Sequence, residues 1–127
     1  MEISHSLWFL ATNFLRFIAF LTLSDIFVPS ITNAQEIQIL VLADRSFSPQ
    51  DIQANVGDRI TWINTTGVRH EILFSDNPTN TGDQHLHYIL TSHRKISIVV
   101  TKAGKFDYVC RWHSMWGSIH IDKLPVR

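Results

Sequence analysis

Internal disulfides are closed to this chain, because its 127 residues contain a single cysteine, Cys110. A lone thiol in an exported protein is paired with another chain, left reactive or bound to a metal. In any protein it can also be a buried side chain that packs like a small hydrophobe. Charge of one sign is lacking too: 11 Lys and Arg balance 11 Asp and Glu. Setting aside residues 1–34, which hold Glu2, Arg16 and Asp25, leaves 10 basic and 9 acidic side chains. Nucleic-acid binding calls for a marked basic surplus, so nothing here implies that class. Methionine is scarce, with Met115 alone beyond Met1. Repeats and low-complexity stretches are absent, and no helix of useful length is expected after residue 34.

The one long apolar run lies at the start, over residues 8–29, and is interrupted by Arg16 and Asp25. Thr32 and Ala34 place small residues at −3 and −1 of a cut after Ala34. This fits an export signal over 1–34, although the first residues lack the usual positive charge. The run also approaches the ~20 residues that span a bilayer, so an uncleaved anchor and a buried core helix are the alternative readings. Charge in hydrocarbon is costly, which favours the signal. Residues 35–127 then form one exported domain, in the periplasm or an equivalent compartment such as a thylakoid lumen. A membrane would be met only through the N-terminal segment if it stays uncleaved, and the domain is expected to be a monomer.

From Glu36 onward, apolar residues recur with period two. The alternating sets are Ile37, Ile39, Val41; Ile52, Ala54, Val56; Ile60, Trp62, Asn64; His70, Ile72, Phe74; Leu86, Tyr88, Leu90; Ile96, Ile98, Val100; Phe106, Tyr108, Cys110; and Ile119, Ile121. Successive strand residues face opposite sides, so each set lines one face. Turn signals separate the sets, among them Gly57-Asp58, Thr66-Gly67 and Ala103-Gly104-Lys105. Short strands at such spacing predict an all-β sandwich or barrel, with the longest loop over 75–85.

This phasing carries chemistry. His70 points inward at the start of its strand, and Cys110 points inward at the end of its own. His113 follows Cys110 by three residues, so a thiolate and an imidazole can reach one ion from a single loop, while His70 supplies a second imidazole from elsewhere. One soft thiolate with two imidazoles favours copper among common metals. Zinc accepts the same donors, but a structural zinc site normally has four strong ligands. Glu71 is the only acid beside the site, and strand alternation aims it away from His70. No acid–base pair or nucleophile–base pair is visible, so the reading is not an enzyme.

The surrounding motifs resemble the cupredoxins, the family of small blue copper proteins. The resemblance runs from Phe47-Ser48-Pro49 through Val56-Gly57-Asp58, Ile60, Trp62 and Asn64 to His70. It resumes at Gly104-Lys105-Phe106-Asp107-Tyr108-Val109-Cys110 and ends with His113, Met115, Gly117 and Ile119. It implies a Greek-key β-sandwich, equatorial copper ligands His70, Cys110 and His113, an axial Met115, and Asn64 hydrogen-bonding near the Cys110 loop. One departure stands out. The family's short loop is C-x-x-H-x-x-M, whereas only Ser114 separates His113 from Met115 here. Met115 can therefore serve as the axial donor or pack under the loop, leaving that place to water or a backbone oxygen.

The resemblance implies transfer of single electrons between redox partner proteins. Copper delivery with the same residues is the alternative. Arg69, Arg111, Trp112 and Trp116 flank the ligands and form a candidate docking rim; otherwise the rings pack inward and the arginines are solvated. His85 and His87 lie two apart on one side and either hold a second metal or are surface residues. Asn64-Thr65-Thr66 matches a glycosylation sequon.

Overall fold

The computed structural model describes residues 33–124. The export segment expected over 1–34 falls, but for its last two residues, outside them. The described residues form nine strands: β1 Glu36–Val41, β2 Phe47–Ser48, β3 Asp51–Asn55, β4 Arg59–Asn64, β5 His70–Phe74, β6 Leu86–Leu90, β7 Lys95–Val99, β8 Gly104–Cys110 and β9 Met115–Asp122. A single 3₁₀ turn, Arg111–His113, links β8 to β9. The expected alternating sets all reappear as inward faces. Only β2 had no signal, since two residues cannot display a period.

The strands build two sheets, ordered β2-β1-β4-β7 and β3-β9-β8-β5-β6. β1 runs parallel to β4 and β3 parallel to β9, while the remaining pairs are antiparallel. The chain changes sheet repeatedly, passing from β3 to β4, back to β5 and β6, across to β7 and back to β8. Each sheet hides one apolar face against the other, the arrangement that removes both from water.

Tyr108 is the hub of the core. Its ring meets Phe47 at 4.9 Å, Trp62 at 5.3 Å and Phe74 at 5.3 Å between centroids. Trp62 meets Phe74 edge-on at 5.8 Å. The contacts of Tyr108 with Phe47 and Trp62 are edge-to-face and that with Phe74 is tilted, at spacings that suit the attraction of aromatic rings. They tie β4 of one sheet to β5 and β8 of the other, directly beneath the end where His70 and Cys110 lie.

The β3–β4 turn is fixed by its own residues. Gly57 adopts φ 98°, which is costly for any residue with a Cβ. Asp58 follows it and is buried; its carboxylate accepts from the Gln35 and Asn55 amides at 2.9 and 2.8 Å.

Gly117 is demanded by space. A Cβ there would run into the hydroxyl and ring of Tyr108 and lie 2.9 Å from the Gln50 carbonyl oxygen. Gly117→Ala is therefore expected to lower stability by about 1–3 kcal/mol in denaturant unfolding, the usual cost of overpacking. Adding Tyr108→Phe removes the hydroxyl from the clash and should recover part of that loss. Equal stability of Gly117→Ala and wild type would contradict the packing described.

Candidate metal centre

Three segments bring their ends to one place. His70 opens β5, Cys110 closes β8 and His113 ends the 3₁₀ turn. Cys110 and His70 are buried and His113 is half-buried. The Cys110 sulfur lies 3.5 Å from His113 Nδ1 and 3.9 Å from His70 Nδ1. The two imidazole centroids are 4.5 Å apart, and one donor atom from each residue lies within 4.8 Å of the others. A first-row ion bonded at about 2.0 Å to nitrogen and about 2.3 Å to sulfur in a trigonal plane separates S from N by about 3.7 Å. The observed spacings bracket that value, so the residues fit an ion.

Electrostatics favour the same outcome. Burial holds the His70 pKa below the usual histidine value, and the neighbouring His113 lowers it further. A neutral imidazole is the form that ligates a metal. The sulfur also receives the Glu71 amide N–H at 3.3 Å, a bond that stabilises negative charge on it.

The shortened loop closes cleanly. Ser114 adopts the left-handed conformation, φ 55° and ψ 39°, so a single residue reverses the chain. Cys110 and Met115 are then paired directly across β8 and β9. Directly opposed residues share a face, so Met115, which is buried, lies on the same side of the sheet as Cys110.

Glu71 faces the other side of the sheet, as alternation requires, yet its side chain is 0% exposed. It is spent on Arg111, whose amide, Nε and Nη2 donate to the carboxylate at 3.2, 3.3 and 2.8 Å. His87 Nε2 adds a contact at 2.9 Å. The bond from the Arg111 side chain is the main cause that holds the Glu71 pKa below the usual carboxylate value. The sequence pattern offers Arg111 only an interface or solvated role. Its clamp on a buried acid was hidden because the pairing spans β5 and the end of β8.

Asn64 corrects another expectation. Its Nδ2 donates to the carbonyls of Val68, Leu90 and Thr91 at 2.7, 3.2 and 3.1 Å, and not to the Cys110 loop. The two ligand-bearing segments are joined by Glu71 and Arg111 instead. Asn64 is 1% exposed, so the sequon is closed once the chain is folded.

His85 and His87 are each engaged elsewhere, His85 Nδ1 with the Ser75 carbonyl at 2.6 Å and His87 with Glu71. Trp112 and Trp116 do not pack inward; they are 45% and 56% exposed. Arg69 stacks over the Trp112 ring at 5.1 Å. Trp116 pairs with Val109 on the outer face of the five-stranded sheet, to the side of the metal end.

A family model described as copper binding proteins, plastocyanin/azurin family, matches residues 40–122. The chain belongs to this family. Copper is accordingly the metal of this protein, and the cupredoxin resemblance read from the motifs holds. Plastocyanin of Scenedesmus fuscus is 26% identical over 72 residues, covering 53% of this chain and 74% of that protein. Amicyanin-alpha of Methylorubrum extorquens is 26% identical over 72 residues, covering 57% of this chain and 60% of that protein. Among solved structures, the Cu(I) form of an amicyanin variant gives a TM-score of 0.61 at 23% identity, covering 73% of this chain and 87% of that one. A second amicyanin variant, also Cu(I), gives 0.60 at 25% identity, with 68% and 82% covered. The two-sheet sandwich of this cupredoxin is thus the fold of its relatives.

The Glu71 clamp predicts a particular acid sensitivity. A carboxylate with a lowered folded pKa contributes stability above its ordinary value of 4.5, and that contribution is lost as pH falls through the lowered value. Glu71→Gln should lower the thermal midpoint at neutral pH and flatten its fall below about pH 4.5. An unchanged midpoint and slope would show the clamp to be energetically idle.

Proposed function

We propose that this protein carries single electrons through one copper ion that His70, Cys110 and His113 would hold, with Met115 as the fourth donor. The observation that carries the reading is the convergence of a buried thiol and two imidazole Nδ1 atoms at spacings that suit a trigonal ion. Copper supplies a one-electron couple between Cu(I) and Cu(II). The chain's part is to keep the donors still and dry. His70 and Cys110 sit on strand ends, Ser114 tightens the turn, and the burial of His70, Cys110 and Met115 excludes water.

His113 is the half-buried member and borders a surface hollow lined by Leu42, Thr66, Val68 and His70. This edge is the proposed route for the electron. Around it, Val68 is 54% exposed and Arg69 covers Trp112, an apolar and cationic rim that suits an acidic redox partner. Arg111 and Trp116 extend the surface around the side of the sheet. Delivery of copper is less well supported, because Cys110 and His70 are buried and His85 and His87 are engaged elsewhere. Catalysis is likewise disfavoured, since Glu71, the acid beside the site, is committed to Arg111 and His87. The segment before residue 35 is read as an export signal, which places the domain in an oxidising extracytoplasmic compartment, as a monomer.

Copper titration followed by visible absorption tests the site. The wild-type protein should develop an intense thiolate-to-copper band at one equivalent, and Cys110→Ser should abolish it. Met115→Leu should keep the band and shift its position and the reduction potential; an identical spectrum and potential would remove Met115 from the ligand set. For the docking rim, Arg69→Glu should slow oxidation by ferricyanide several-fold at low ionic strength. The difference should shrink as salt screens the charge, and a salt-independent effect would argue against steering.

A further inference from the structure

The loop between β4 and β5 contains hydrogen bonds whose directions are forced one after another. Asn64 Nδ2 faces three carbonyl oxygens, those of Val68, Leu90 and Thr91. Carbonyls only accept, so the amide nitrogen belongs there and Oδ1 points to Thr66. That oxygen receives the Thr66 amide at 2.9 Å and lies 2.7 Å from the Thr66 hydroxyl. It can only accept, so the hydroxyl proton goes to it. The other nearby oxygen, the Val68 carbonyl at 3.1 Å, is also only an acceptor. A hydroxyl has one proton to give. Toward His70 Nε2, at 3.0 Å, Thr66 Oγ1 is left with lone pairs alone. The proton in that contact must sit on Nε2, and Nδ1 then keeps its lone pair on the side facing the Cys110 sulfur.

We propose that Thr66, oriented by Asn64, is a positioning residue that holds His70 as the Nε2–H tautomer with Nδ1 directed at the metal centre. The proposal rests on the copper reading above and adds to it the device that presents one ligand in the right tautomer. Which ring nitrogen is free to ligate is set by the bond the other one makes, and such partners typically change metal affinity by about 10–100-fold. A main-chain partner would resist substitution, whereas this one is a side chain and can be changed.

The test uses metal-free protein labelled with nitrogen-15 in its histidines. Proton–nitrogen correlations at about pH 8, where imidazole is neutral, report the tautomer without any copper. Wild type should show His70 as a single Nε2–H species with a slowly exchanging proton. Thr66→Val, which keeps the shape and loses the hydroxyl, should give mixed tautomers and bind Cu(I) about 10-fold or more weakly. Thr66→Ser should restore both. A wild-type His70 without an Nε2 proton overturns the proposal whatever the variants do. So does Thr66→Val matching wild type in tautomer and affinity, or Thr66→Ser failing to restore either. If wild type binds no copper at Cys110, the metal reading falls, and the tautomer result still decides the role of Thr66.

Discussion

The centre depends on holding one sulfur atom where two strands from different parts of the chain can share it. Cys110 ends β8 with its thiol buried, and the amide of Glu71 donates to that thiol from β5. The same residue, through its carboxylate on the opposite side of the sheet, grips Arg111 immediately after the cysteine. One residue thus fixes the sulfur from within and the loop from without. With the sulfur set, His70 precedes Glu71 by one position and is necessarily delivered to the same spot. His113 follows by way of a three-residue turn. The aromatic cluster around Tyr108 supplies the floor that keeps β4, β5 and β8 in register beneath.

Much of this arrangement was readable from the residues. Period two places His70 with Ile72 and Phe74, and Cys110 with Phe106 and Tyr108, and both sets point inward as expected. That reading works because alternation is a property of the backbone and is imposed locally. The Val56-Gly57-Asp58 and Cys110-to-His113 spacings are also local, and they locate a turn and a pair of donors. What the residues did not reveal are the bonds whose partners lie far apart in sequence. Alternation tells only that Glu71 faces away from His70, yet it is fully buried beneath Arg111, 40 positions on. The Cys110 loop that the resemblance implies for Asn64 is the wrong neighbour, because its partners Leu90 and Thr91 lie at the end of β6 and just beyond it. The shortened loop showed only that something must tighten. The structure shows the means, a left-handed Ser114 and a direct Cys110–Met115 pairing.

The two faces of the metal end differ in character. Inside, the side chains of His70 and Cys110 are buried. Outside, the described residues present arginine and tryptophan. This division lets the interior be tuned for the metal and the exterior for a partner with little interference between them, since alternate residues along a strand serve opposite sides.

The burial of Asn64 bears on how the protein can be manufactured. In a eukaryotic secretory host, the oligosaccharyl machinery acts on extended chains and will meet Asn64-Thr65-Thr66 before the loop closes. A sugar attached then has no room in a pocket where the amide serves three carbonyls. Decorated molecules would be retained by quality control, so yeast or mammalian production would give poor yields, and a bacterial host without that machinery is the sounder choice.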